Sequence, residues 1–116
     1  MNIKIIRQPI SRSELLAIAR AQFGDMVKAV VDMDQKIMAV GGELHADAEV
    51  LLAEQENSKR EHTWGINLYP EKSGEDWIEF DSMINLKPSL GNRSRGVESA
   101  ATRDQIKQVV GQLILN

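Results

Sequence analysis

The chain has no cysteine. That excludes disulfides, thiolate nucleophiles and thiolate metal sites, and a reducing cytosol is the simplest compartment for it. Aromatic residues make up only 4% of the sequence, too few for a broad base-stacking surface. Positive charge is also short. Fourteen Lys and Arg face seventeen Asp and Glu, for a net charge of -3. Non-specific nucleic-acid binding through a basic surface is therefore disfavoured. No apolar run approaches the roughly 20 residues needed to span a bilayer. The opening MNIKIIRQPIS has too short an apolar stretch and no small-residue cleavage site, so no signal peptide is expected. The H-E-x-x-H, G-x-S-x-G and P-loop patterns are all missing, and no cofactor is expected.

What is present reads as one domain over residues 1–116, long enough to bury roughly two thirds of its unfolded surface. Ile3 to Ile6 form a short apolar strand ended by Pro9. Ser11 and Glu14 form a capping box, and Leu15, Leu16, Ile18, Ala19 and Phe23 continue it at helical spacing to a stop at Gly24. Val27 to Asp32 and Lys36 to Val40 read as a hairpin around Met33-Asp34-Gln35. Asp32 and Asp34 there lack the glycine and distal glutamate of a calcium loop, so the pair is read as a turn. Gly41-Gly42 breaks or bulges the second strand. The next stretch, ELHADAEV (Glu43 to Val50), has a helix-forming composition. Its apolar and polar residues nevertheless alternate strictly, and we expect a strand.

Thr63 to Tyr69 and Trp77 to Leu86 are read as two further strands. If Tyr69 pairs with Trp77, Asn67 faces Glu79 and Gly65 faces Asp81. Thr102 with Gln105 suggests a second capping box, opening a helix whose apolar stripe runs through Ile106, Val109, Val110, Leu113 and Ile114. With the glycine-interrupted strand counted once, the order is β-α-β-β-β-β-α. This is an α+β fold: a mostly antiparallel meander with two amphipathic helices on one face. Leu15, Ala19, Ile106, Val109 and Leu113 should pack on the face carrying Ile66, Leu68, Ile78, Phe80 and Ile84. Met26, Met33, Met38 and Met83 should fill gaps in or beside strands.

The stretches GGELHADAE (Gly41 to Glu49), WGINLYP (Trp64 to Pro70) and IEFDSMINLKPSLGNRSRGVE (Ile78 to Glu98) resemble a family of short bacterial proteins known only as a domain of unknown function. FGDMVKAVVD (Phe23 to Asp32) resembles it too, so the likeness spans nearly the whole chain. The resemblance implies a stand-alone bacterial cytosolic protein and carries no activity or site residues.

Two constellations merit a chemical reading. In the strand arrangement, Glu43, His45, Asp47, Glu49, Asn67, Glu79, Asp81 and Asn85 share one polar sheet face. The plain reading is a solvated face. The sharper one is a metal site for Mg, Mn or Zn. His45 and Asp47, two apart on a strand, would share one ion with Glu79 or Asp81, making a metal-dependent hydrolase. The second constellation is the loop Gly91 to Gly96. Asn92, Arg93, Ser94 and Arg95 there supply donors suited to an anionic ligand or partner. The plain alternative pairs those arginines with local acids. An exposed edge strand could also pair with a protein partner or a second copy. The leading expectation is a binding or regulatory interaction module, with the hydrolase second.

Overall fold

The strand Val27–Asp32 (VKAVVD) is buried at five of its six positions because both of its faces are covered. The computed structural model describes residues 2–116 and places this strand at the centre of a five-stranded antiparallel sheet. In chain order the elements are β1 (Ile3–Ile6), β2 (Ile10–Ser11), α1 (Arg12–Ala21), β3 (Val27–Asp32), β4 (Ile37–Gly41), α2 (His45–Glu56), β5 (Thr63–Leu68), β6 (Ile78–Glu79), α3 (Ala100–Leu113) and β7 (Ile114–Leu115). The sheet order is β1-β4-β3-β5-β6. The fold is α+β and mostly antiparallel, as the sequence indicates, but it is not a simple meander. The passages through α1 and α2 each skip a strand, so β1 lies beside β4 and β5 beside β3.

Both expected helices form on one face. Ser11 caps α1: its hydroxyl accepts from the Glu14 amide and the Glu14 carboxylate reaches back. The cap of α3 is Ser99, not Thr102. Its hydroxyl accepts from the Thr102 amide, so the helix starts a turn earlier than the T-x-x-Q pattern suggests. Leu15 and Ala19 from α1, with Ile106, Val109, Val110 and Leu113 from α3, cover Val27, Ala29, Val31, Met38, Val40, Trp64, Ile66 and Leu68. Ile78 and Phe80 pack at its margin, partly buried. Ile84 does not join them; it lies on the opposite face. A short parallel pair, Ile10 with Ile114 and Ser11 with Leu115, joins the start of α1 to the end of α3.

The second face overturns the expectation of a wet, acidic surface. Val30, Ile37 and Ala39 make it apolar, and Ala48, Leu52 and Ile84 cover it. The cover is α2, so residues 45–56 are a helix and the strand read into Glu43 to Glu49 is wrong. Gly41 and Gly42 take φ of +104° and +82°, conformations that suit glycine and end β4 before the alternating stretch begins. Asn57 then closes α2 in the left-handed region. Alternation misled because α2 carries apolar residues on both sides, which blurs a helical period. Burial of Ala48 and Leu52 beneath it decides the matter.

The expected strand Trp77 to Leu86 also shortens, to Ile78–Glu79. The Tyr69 amide bonds the Trp77 carbonyl at 2.9 Å and Asn67 pairs with Glu79, so that part of the register holds. The space above Gly65 is taken by Ser82 and Ile84 rather than left open. A Cβ at Gly65 would lie 2.5 Å from the Ser82 Cβ. The chain leaves the ladder there and forms a 3-10 turn over Met83–Asn85. Among the described residues no helix is long and apolar enough to cross a membrane.

Candidate functional site

The candidate site residues fall into three groups, two of them read from the sequence. His45 begins α2 and is buried against β5. Its Nε2 lies 2.8 Å from the Ile66 carbonyl oxygen, which can only accept, so Nε2 carries the proton. Burial pushes the His45 pKa below the ordinary value of 6.5, and nearby Lys28 pushes the same way. The Ile66 carbonyl, Asn67 and Asp81 oppose that shift. Asp47, two residues on, points outward and is exposed. Successive positions on a helix turn by about 100°, so these two side chains diverge.

Glu79 accepts from the Asn67 amide at 2.8 Å and from the Tyr69 hydroxyl at 3.2 Å. Asp81 pairs with Arg95 at 2.8 Å, both partly exposed. The helix thus brings His45 near Asn67 and Asp81 but sends Asp47 away. Among the described residues no group of three or more His, Asp or Glu is arranged to hold a metal ion.

The second group, Asn92 to Arg95, divides by burial. Asn92 is buried. Its amide nitrogen donates to the carbonyls of Asn85 (2.7 Å), Gly96 (2.8 Å) and Ser94 (3.2 Å), and its Oδ1 accepts from the Glu98 amide at 2.9 Å. It organises the loop, and both its N–H donors are taken by backbone carbonyls. The Arg93 amide and the Ser94 hydroxyl hold the Glu98 carboxyl below the usual carboxylate range. The Arg93 and Arg95 side chains remain exposed, Arg95 in its pair with Asp81. Asn85, assigned to a polar sheet face from sequence, is a second buried anchor. It accepts from the Gly65 amide at 2.8 Å and donates to the carbonyls of Gly65 (2.9 Å) and Arg95 (3.0 Å). A side-chain amide here completes the pairing that a strand would have given β5.

The third group escaped sequence reading. On the outer side of α2, Asp47, Val50 and Glu54 share a face at spacings of three and four, with Ala46 and Ala53 beside them; all are exposed. Val50 is 53% exposed, Leu44 at the helix cap 60%, and Met83, on the turn packed beside α2, 62%. Met83, expected to fill a gap, fills none. The signal was available in part, since α2 carries apolar residues on opposite sides of a short helix.

Fold and surface together define a small α+β protein with helices on both faces of an antiparallel sheet and exposed apolar side chains on and beside one of them. The chain belongs to the family described as Protein of unknown function (DUF5674), whose model matches residues 4–113. No curated protein matches the chain, and no solved structure matches it.

Proposed function

We propose that the chain is an interaction module, working as one domain over residues 1–116 in a bacterial cytoplasm, that docks a protein partner over the outer face of α2. The observation that carries this reading is the pair of apolar faces on α2. Ala48 and Leu52 are buried on the sheet, while Val50 on the outer side of α2, Leu44 at its cap and Met83 on the turn beside it are all exposed. Large apolar side chains gathered on one surface are where partners bind. Exposed Glu43, Asp47 and Glu54 surround them. The complementary partner therefore presents apolar side chains flanked by Lys or Arg. Arg93 and Arg95 lie on the loop that Asn85 and Asn92 fix, and they supply a positive rim for acids on the same partner.

The test is affinity capture on the immobilised protein beside the double variant Val50→Glu, Met83→Glu, then titration calorimetry with the purified captured protein. We expect one protein with a basic-flanked apolar segment, binding one to one, with affinity at least tenfold weaker for the variant. Exposed positions tolerate such changes within about 0.5 kcal/mol, so thermal unfolding should be unchanged. Equal binding by the variant overturns the reading. So does sedimentation showing that a second copy occupies the face.

A further inference from the structure

Away from α2's outer face lies a buried charge without a counter-ion. Lys87 is 4% exposed, yet among the described residues it forms no ion pair. Its Nζ has three N–H donors and uses one of them, on the Ile84 carbonyl at 3.1 Å. Nζ also lies 5.1 Å from the centre of the Trp64 ring. That indole's own Nε1 is buried with no acceptor. The neighbouring Arg60 is already satisfied, with Glu49 at 3.2 Å and the Leu86 carbonyl at 3.3 Å. Burial, and then the positive charge of Arg60, hold Lys87 down to about 8, against the smaller opposing pull of Glu49. A buried ammonium in this state is unfavourable unless something negative completes it.

Lys87 lines a cleft of about 260 Å³ together with Arg60, Glu61, Leu86, Pro88 and Leu90. We propose that this cleft binds a short aliphatic carboxylate, which neutralises Lys87 and lays its tail on Leu86, Pro88 and Leu90. Charge selects the class. Glu49 is taken by Arg60 and Glu61 forms no ion pair with Lys87, so among the described residues Nζ has no anion in contact, and a phosphate dianion would meet Glu49 and Glu61. The three apolar walls favour an alkyl tail over a bare ion.

The experiment is thermal unfolding and calorimetry of the full chain with sodium butyrate at constant ionic strength. Chloride, phosphate and butylammonium are the controls. Butyrate should raise the melting temperature saturably at pH 7, and the effect should vanish at pH 10, where Lys87 has lost its proton. Lys87→Met, checked by circular dichroism for an unchanged fold, should bind butyrate at least tenfold more weakly. Should that variant not fold, the pH comparison on the natural chain decides alone. The proposal fails if butyrate gives no saturable shift or if phosphate or chloride does as well. It also fails if the response persists at pH 10 or in a folded Lys87→Met.

Discussion

Replacing Asn85 with Ala removes a side chain that stands in for a missing strand. Three hydrogen bonds go: one from the Gly65 amide, one to the Gly65 carbonyl and one to the Arg95 carbonyl. Each such bond contributes roughly 0.5–1.5 kcal/mol net, and a buried group left without a partner costs about 1–3 kcal/mol. Asn85 and Gly65 are both buried, so the groups left behind have little access to water. We expect a loss of about 3–5 kcal/mol, a large part of the roughly 5–15 kcal/mol that holds a domain together. Urea unfolding followed by circular dichroism measures it, and hydrogen exchange at the Gly65 amide reports the same event locally. Asn85→Asp adds a chemical check. The carboxylate can still accept from Gly65 but faces two carbonyl oxygens it cannot donate to. It should be at least as damaging at pH 7, and less so in acid, where a protonated carboxyl donates once. A loss under about 1 kcal/mol for Asn85→Ala would show that the loop is held without this side chain, and the account of its anchoring would fall.

Two further outcomes follow from the site geometry. Because burial lowers the His45 pKa below 6.5, the unfolded chain takes up the proton first, and the stability tied to neutral His45 is complete above about 6.5. It is lost as pH falls from there through the folded value, so a His45→Gln variant should have a flatter stability profile in that window; parallel profiles would refute the assignment. Arg93→Ala with Arg95→Ala breaks only the exposed pair with Asp81 and should cost less than about 1 kcal/mol in chemical denaturation. A larger cost would make the loop's arginines part of its scaffold.

The elements legible in the sequence were helices with one buried side and the short β-branched strands, β3 among them although both its faces are covered. The α1 capping box and the stripe of α3 declare a single face, and the β5–β6 register followed from placing Tyr69 beside Trp77. Failures came where a helix is apolar on two sides or a segment is held by side chains. ELHADAEV alternates because α2 has two apolar sides, and no rule of period separates that from a strand. The chain from Phe80 to Asn85 keeps a strand's pattern yet leaves the ladder, because Ser82 and Ile84 must pass over Gly65. Asn85 and Asn92 read as polar surface, since nothing local announces a buried amide whose partners are backbone groups of other segments. Of the site residues, His45, Glu79 and Asp81 do gather near β5 and β6, whereas Asp47 departs with the helical turn.

The small parallel pair between β2 and β7 sets an order on the making of the fold. Its partners, Ile10 and Ile114, are about 100 residues apart, and closing so long a loop carries an entropic cost that grows only slowly with length. On a ribosome, β1, β3, β4, α2 and β5 can all assemble before β7 exists. Until then α1 rests on the sheet with its first turn held on one side only. The seam has two residues on each side, and Leu115 is half exposed, so it is also among the cheapest parts of the native protein to reopen. Its opening would free the start of α1 from the end of α3 while leaving the five-stranded sheet intact.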